Sequence, residues 1–537
     1  MMNPENRIPK TATASRRKNE RGVILLLGTL SVPVLISMMG LGIDASVLYG
    51  IKSKLQLASD GAALASARAL SIGLTTAEQA DSARNNATNW FNKNFPTGEF
   101  GSSGTVVPQP LVFDDPTNAL LRHVVVTAST NAPSFFMRYW GRVSTSISVR
   151  SEATRRDSVI MMVLDRSGSM QNSGSCQPMK DAAKQFTGMF AAGRDRIGMV
   201  TFNMASYVSS VPSTDFRTNL GYADSSSSPA SGTGQIDAIT CTGGTGTPEA
   251  MILGYNELYK TGLPGALNVV MLFTDGLPTA LTLDFRGGVA TQMGILENTT
   301  NCKDSTGVSL NSASNPRGNL STNPPAWTTG MAMGTGSYLA NVPTGPVAIV
   351  YADPQPLYLW GFKYVGTSNS ATDAYVTGAS GCTTTSGQDV TTAATTVANN
   401  INYYPTTDAF GNGLELPSYN TLNYSNGRIQ ETNANLRLAM LNATANAADR
   451  ARTTRNLPDA RSFPGVVIYC IGLGTGVNHA LLQRVANDGA PGENNEYPAF
   501  TSTNSTQPTG NYVFANDATR LGPAFSQIAS FILRLSQ

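Results

Sequence analysis

A run of six apolar residues at 159–164 leads directly into the segment DRSGSM at 165–170. A short, continuous apolar run bounded by turn formers is typical of a strand buried on both faces. One carboxylate and two hydroxyls then follow at alternate positions, Asp165, Ser167 and Ser169. Oxygen ligands of this kind, completed by water, suit Mg²⁺. The other interpretation is an ordinary turn, because Asp, Ser and Gly are common turn formers.

Two later segments have a related pattern. Residues 243–249 read GGTGTPE and open a helical pattern, while residues 267–273 form a second apolar run that ends in Thr274, Asp275 and Gly276. Ligands of open α/β sheets bind at the carboxyl ends of the strands. We therefore expect these loops to meet at one edge of a doubly wound, mostly parallel sheet.

Five oxygen-bearing residues in this order resemble the metal-ion-dependent adhesion site of von Willebrand factor A domains: Asp165, Ser167, Ser169, Thr245 and Asp275. The resemblance implies an α/β fold of the von Willebrand A (Rossmann-like) type. It also implies that the two serines and Thr245 bind Mg²⁺ directly, with Mn²⁺ or Ca²⁺ as possible substitutes. The two aspartates would act close to the ion or through water. An open coordination position would accept a carboxylate from a partner.

Two features of this site stay open at the level of sequence. Thr247 competes with Thr245 as the threonine ligand, because Gly-Thr-Gly-Thr can be aligned either way. We also expect both Asp165 and Asp275 to face solvent, so that replacing them removes charge from an exposed cleft.

The composition of the chain limits the classes of function that we expect for it. The chain has 537 residues, of which 13% are charged, and a net charge of +2. No basic patch occurs after the first 22 residues, so nucleic acid is not an expected partner. The only two histidines, His123 and His479, lie far from the predicted metal loops in the sequence. A serine nucleophile needs a neighbouring base, and we therefore expect no enzymatic activity.

The amino terminus predicts a membrane anchor. Arg16, Arg17, Lys18 and Arg21 precede residues 23–43, a stretch of 21 residues without charge. About 20 apolar residues span a bilayer, and flanking positive charge favours a cytoplasmic amino terminus with the rest exported. A cleaved signal peptide is the rival interpretation, but no small-x-small cleavage site follows the apolar stretch.

Residues 16–70 carry a second resemblance. Arg-Gly before the apolar stretch, Gly-Ile-Asp at its end, Tyr49 and an Ala-rich run at 55–65 are similar to the G-type assembly proteins of bacterial Flp pili in tight-adherence (Tad) systems. Leu27 stands where shorter, prepilin-like relatives have Glu, which favours a permanent anchor. The resemblance implies a bacterial envelope protein with a single inner-membrane anchor and pilus or secretion components as partners.

An exported chain would place its five cysteines in an oxidising compartment. We expect one disulfide between Cys176 and Cys241, which flank the predicted metal loops, and a second between Cys302 and Cys382. Cys470, in an apolar strand, would be left over. Free, buried thiols are the alternative.

The predicted organisation has four parts: a cytoplasmic tail at 1–22, a transmembrane helix at 23–43, a helical and α+β stalk at 44–156, and an A-type domain at 157–537. A Ser-, Thr-, Asn- and Gly-rich insertion at about 281–430 interrupts the domain. We expect it to form a β-rich subdomain that shapes or covers the metal site or carries its own receptor surface, and a surface spacer is the alternative.

Two functions fit these expectations. The leading one is a membrane-anchored, extracytoplasmic protein of a Tad/Flp pilus or adhesion system that binds a protein or matrix partner through the metal. The other is a structural envelope or pilus-assembly component whose A domain packs against sister subunits.

Overall fold

The computed structural model describes residues 17–106, 110–203, 206–220, 235–283 and 433–536, together with short segments between 296 and 430. Cys302, Cys382 and most of the predicted insertion lie outside the described residues. The chain divides into two compact units. We call residues 1–69, 81–113 and 123–153 the amino-terminal unit, and residues 70–80, 114–122 and 154–537 the sheet unit.

Helix α1, Arg17–Ala69, dominates the amino-terminal unit. Its apolar side chains between Leu25 and Ile43 are exposed, and this stretch is long and apolar enough to cross a membrane. The second half of the helix is amphipathic and buries Ile51, Leu55 and Ala62. The first half of α1 is therefore apolar on all sides, whereas its second half buries only one side in a core.

The rest of this unit supplies the partner surface for α1. Helix α2 (Thr76–Asn94) buries Phe91, and four strands form a small sheet in which β3 pairs with β1 and β4. These strands are β1 (Ser103–Val106), β2 (Leu111–Asp114), β3 (Leu121–Pro133) and β4 (Ser144–Arg156). Buried valines and alanines of β3 complete the core.

The sheet unit is built on six strands in the order β21-β20-β8-β5-β6-β7. All neighbouring pairs are parallel except β6 with β7, which is antiparallel. The predicted doubly wound, mostly parallel sheet is therefore confirmed. The strands are β5 (Ser158–Asp165), β6 (Arg196–Phe202), β7 (Ser206–Ser213), β8 (Leu267–Thr274), β20 (Val467–Leu473) and β21 (Tyr512–Ala515).

Between β8 and β20 the chain forms short strands that pair antiparallel with one another. Strand β9, which follows β8 in the chain, pairs with β11. They are β9 (Ala280–Leu283), β10 (Leu296–Glu297), β11 (Val347–Tyr351), β12 (Tyr358–Lys363), β13 (Tyr375–Val376), β14 (Thr383–Thr384), β15 (Tyr403–Tyr404), β16 (Tyr424–Ser425), β17 (Arg428–Gln430), β18 (Arg455–Asn456) and β19 (Ser462–Phe463).

Seven α-helices that lie wholly in the sheet unit are described: α3 (Gly168–Asn172), α4 (Cys176–Gly188), α5 (Phe216–Leu220), α6 (Thr247–Thr261), α7 (Asn433–Ala451), α8 (His479–Ala486) and α9 (Leu521–Leu535). Helices α6, α7 and α8 cover one face of the sheet, and α4 and α9 cover the other. Side chains of β5 alternate between the two cores, as strand geometry requires: Val159 and Met161 face the first, and Ile160 and Met162 the second. This two-sided burial explains the uninterrupted apolar sequence of the central strands.

Candidate functional site

The carboxyl ends of β5, β6 and β8 lie side by side, because these strands are parallel and in register. Asp165 pairs with Phe202 across β5 and β6, and Leu164 pairs with Phe273 across β5 and β8. The loops that follow therefore leave the sheet at the same edge. This is the position at which open α/β sheets bind ligands.

Asp165 is the innermost carboxylate of this edge. One oxygen, Oδ1, accepts a hydrogen bond from the Ser167 backbone N–H at 2.8 Å, and Oδ2 accepts one from the Thr274 hydroxyl at 2.6 Å. The side chain is 0% exposed. Our expectation that Asp165 faces solvent is wrong, because the loops after β5 and β8 close over the strand end. Its role is to fix residues 166–169, which we call the serine loop, and the end of β8 in one arrangement.

The two serines and Asp275 converge from different strands. The Ser169 hydroxyl donates to Asp275 Oδ1 at 2.7 Å, and the Ser167 hydroxyl lies 3.4 Å from the same oxygen. The two serine Oγ atoms are 2.9 Å apart. Asp275 is partly exposed and Ser169 is exposed, so this cluster is open to solvent on one side. Three predicted metal ligands from two loops thus share one pocket of oxygen atoms.

Residues 242–246, which we call the Gly/Thr loop, pack directly onto the serine loop. Gly168 donates its backbone N–H to the carbonyl of Gly243 at 2.7 Å, and Thr242 donates to the carbonyl of Arg166 at 2.8 Å. A Cβ at Gly168 would lie only 3.2 Å from the Gly243 carbonyl oxygen. The close approach of the two backbones explains why a glycine separates the two serines.

The backbone of Thr245 is held beside the segment that follows Asp275. Its N–H donates to the Thr279 hydroxyl at 2.8 Å, and its carbonyl accepts from the N–H groups of Thr279 and Ala280. Thr247 instead begins α6, and its buried hydroxyl has no hydrogen-bond partner in the described part of the chain. Both threonines are buried. The choice between them as the threonine ligand stays a prediction.

A disulfide closes the same region covalently. Cys176, the first residue of α4, is bonded to Cys241, which immediately precedes the Gly/Thr loop. This predicted pairing is confirmed. The bond and the two backbone hydrogen bonds described above hold the serine loop and the Gly/Thr loop together.

The electrostatics of the cluster favour a positive charge. Burial, and after it the neighbouring carboxylate of Asp275, raise the pKa of Asp165 to about 7. Burial also raises the pKa of Asp275, against the lowering effect of the hydrogen bonds from Ser169 and Ser167. A nearby cation would favour the ionised form of both carboxylates. The donor set is entirely oxygen, as hard divalent cations prefer.

The described residues contain no cluster of three or more His, Cys, Asp or Glu side chains that could hold a metal. The candidate site relies instead on hydroxyls beside two carboxylates. His123 lies 2.8 Å from Glu152, and His479 stacks on Tyr497 with its Nδ1 atom 2.7 Å from the Tyr512 hydroxyl. Both histidines are thus engaged in local packing.

Three residues support the site in ways that were not predicted from the sequence. Thr274 and Thr279 bond to Asp165 and Thr245, as described above. Asn203, directly after β6, accepts from the Gly246 N–H through its carbonyl at 2.5 Å, and its side chain donates to the Thr242 carbonyl at 3.0 Å. The role of Asn203 could have been predicted from the sequence, because it is a polar residue at a strand end, like Asp165 and Asp275.

Comparison with protein families identifies two parts of the chain. Residues 160–277 match the model of the von Willebrand factor type A domain. Residues 22–69 match the model of putative Flp pilus-assembly TadE/G-like proteins. No curated protein has a significantly similar sequence.

Several solved structures are similar to the chain. The PilB minor pilin from Streptococcus sanguinis is 12% identical, with a TM-score of 0.31, over 82% of this chain and 80% of that one. The vWF domain of the type V pili tip protein Mfa5 from Porphyromonas gingivalis is 17% identical, with a TM-score of 0.33, over 72% and 98%. The pilus adhesin SpaC from Lactobacillus rhamnosus GG is 12% identical, with a TM-score of 0.29, over 80% and 36%.

Both resemblances recognised in the sequence are confirmed by the family models. The chain combines a Flp pilus-assembly TadE/G-like amino-terminal segment with a von Willebrand factor type A domain that carries the oxygen-lined cluster.

Proposed function

We propose that this protein is a membrane-anchored, extracytoplasmic component of a bacterial Tad/Flp pilus or adhesion system. Its A domain binds a protein or matrix partner through a divalent cation. The observation that carries the proposal is the convergence of Ser167 and Ser169 on the carboxylate of Asp275, with buried Asp165 behind them. The TadE/G-like segment at residues 22–69 supports the pilus context.

The residues present fit a Mg²⁺ or Mn²⁺ ion. Ser167, Ser169, Asp275 and one of the two threonines would hold the ion, and Asp165 would orient the serine loop through its bond to the Ser167 N–H. When bound, the cation supplies an open coordination position for a carboxylate of the partner. Since Ser169 is exposed and Asp275 partly so, a partner can approach the cluster from solvent. The proposed function is binding, and no catalytic step is proposed.

The anchor follows from the first half of α1. Exposed apolar side chains cover all sides of the helix between Leu25 and Ile43, and such a helix requires apolar surroundings. Positive residues at 16–18 and 21 precede it, so the amino terminus stays in the cytoplasm and the A domain is exported. Reporter fusions after Gly61 should be active for an exported reporter and silent for a cytoplasmic one.

The experiment that tests the adhesive function uses cells that carry Asp275→Asn, with Asp181→Asn as the matched control. Asp275 is chosen because it is partly exposed. Replacing the buried Asp165 would instead leave the Ser167 N–H and the Thr274 hydroxyl without their acceptor. Asp181 lies exposed on α4, where it accepts a hydrogen bond from Gln177. Attachment of cells to a surface and the number of pili per cell are measured together.

The proposal expects Asp275→Asn to abolish attachment with normal pilus number, while Asp181→Asn behaves like the wild type. Loss of pili in Asp275→Asn cells would replace the adhesive function with the structural one, in which the A domain packs against sister subunits. Normal attachment and normal pili in both variants would refute a functional role for the cluster.

A further inference from the structure

An aromatic turn connects β3 and β4 in the amino-terminal unit. Its backbone forms a short 3-10 helix at Met137–Trp140. Tyr139, Trp140 and Val143 are 83%, 69% and 68% exposed, and Phe135 is 49% exposed. Large apolar side chains clustered at the surface of a small unit mark a site of interaction with another apolar phase or molecule.

The turn is fixed to one level of α1. The carboxylate of Asp44 accepts hydrogen bonds from three consecutive backbone N–H groups of the turn, those of Phe135 at 2.8 Å, Phe136 at 3.1 Å and Met137 at 2.7 Å. Phe136 lies against the helix at Gly40, where an added Cβ would come within 2.5 Å of its ring. The turn is therefore held beside residues 40–44, where the apolar stretch of α1 ends.

The chemistry of the turn matches the boundary between lipid and water. Tryptophan and tyrosine are enriched at that boundary, because their rings are apolar and carry a polar group. Arg138 and Arg142 are exposed on the same turn, and neither forms an ion pair among the described residues. Arginine side chains can donate to phosphate in a bidentate manner. The turn thus offers both kinds of group that a lipid headgroup region accepts.

We propose that this aromatic turn lies in the headgroup region of the bilayer, where it sets the depth of α1. The inference deepens the proposed function, since it depends on α1 crossing the membrane. The occupant of the exposed aromatic surface is lipid, because the turn is held beside residues 40–44, at the end of the exposed apolar part of α1. Asp44 is the positioning residue, since it binds the turn to the helix without touching lipid.

Tryptophan fluorescence in proteoliposomes tests this placement. The full chain is reconstituted into phosphatidylcholine and phosphatidylglycerol vesicles, with or without lipids brominated close to the headgroup. Wild type, Trp140→Phe and Trp90→Phe are compared. Trp90 packs against Gly61, which lies about 27 Å farther along α1 than Ile43 at 1.5 Å per residue. The side chains of Trp327 and Trp360 lie outside the described part of the chain and are common to all three proteins.

The proposal expects brominated lipid to quench wild type and Trp90→Phe, with most of the quenching lost in Trp140→Phe. Equal quenching of Trp140→Phe and wild type would overturn it. Conservative aromatic replacements are chosen because both tryptophans are substantially exposed, so neither change opens a core cavity.

A further variant distinguishes the placement of the turn from the prediction that α1 crosses the membrane. Leu30→Trp, in the middle of the predicted span, should be quenched by lipids brominated deep in the acyl chain if α1 crosses the bilayer. Quenching at position 30 without quenching of Trp140 would refute the placement of the turn and leave the anchor intact. Absence of quenching at both positions would refute both.

Discussion

Removal of the disulfide between Cys176 and Cys241 is expected to destabilise the sheet unit by about 4 kcal/mol. The bond joins residues 65 positions apart. In the chain-entropy model, closing a loop of that length lowers the entropy of the unfolded chain and so raises its free energy by about 4 kcal/mol at 25 °C. For the A domain without its insertion, residues 157–280 and 431–537, each kcal/mol corresponds to roughly 2–4 °C in melting temperature. We therefore expect the melting temperature to fall by about 10 °C.

The assay is thermal and denaturant unfolding of the full chain in detergent, followed by near-ultraviolet circular dichroism. Cys176→Ser, Cys241→Ser and the double variant are compared with the oxidised wild type. Each single variant should lose as much stability as the double variant, because either change alone breaks the same bond. Additive losses would show that the two side chains contribute separately, through packing.

A change below about 1 kcal/mol in the double variant, against the roughly 4 kcal/mol expected from loop closure, would refute the reasoning. It would mean that the serine loop and the Gly/Thr loop are already held by their backbone hydrogen bonds, or that the unfolded chain is compact in this region.

Three further predictions concern single side chains. If Thr245 is the metal ligand, Thr245→Ala should weaken cation binding measured by calorimetry far more than Thr247→Ala; the reverse order would identify Thr247. Burial lowers the pKa of His479, so its stabilising contribution is present above about pH 6.5 and is lost as pH falls through the lowered value; NMR titration should give a pKa below about 6.5, and a higher value contradicts this. Asp44→Ala should lower the melting temperature of the full chain, because three backbone N–H groups of the aromatic turn lose their acceptor, whereas an unchanged melting temperature would show that water replaces it.

The central strands, and the sheet edge at which the candidate site lies, could be predicted because burial on both faces is what produces their sequence pattern. Uninterrupted apolar runs at 159–164 and 267–273 are accommodated in strands covered on both faces, and polar residues after each run must then lie at one edge. Helix α1 was predictable for a similar reason, since a stretch of 21 uncharged, mostly apolar residues is long enough to span a bilayer and is followed by an amphipathic Ala-rich run.

The start of α4 was less predictable. In the sequence a helical pattern is evident only from Asp181 to Phe190, whereas α4 begins at Cys176. Pro178 lies in its first turn, where a missing N–H is tolerated, so the proline does not interrupt the helix. Residues 105–113 have the pattern of a single strand in the sequence, but this region contains two strands, β1 and β2, which both pair with β3. A strand pattern alone does not reveal such a break.

The burial of Asp165 was not predictable from local sequence. It arises because Thr274, 109 positions away, supplies a hydrogen bond from the neighbouring strand, and because the Gly/Thr loop packs over the serine loop. Long-range contacts of this kind depend on the register of β5 against β8, which is set by the whole sheet.

Calorimetric titration of Mg²⁺ and Mn²⁺ into the full chain tests the central claim most directly, with wild type, Asp275→Asn and Asp181→Asn compared. A unit charge about 4 Å from a divalent ion contributes several kcal/mol at an effective dielectric constant of about 20. We therefore expect Asp275→Asn to weaken cation binding by at least about 100-fold, while Asp181→Asn matches the wild type. Unchanged affinity in Asp275→Asn, or no cation binding by the wild type, would contradict the assignment of a metal site to this edge of the sheet.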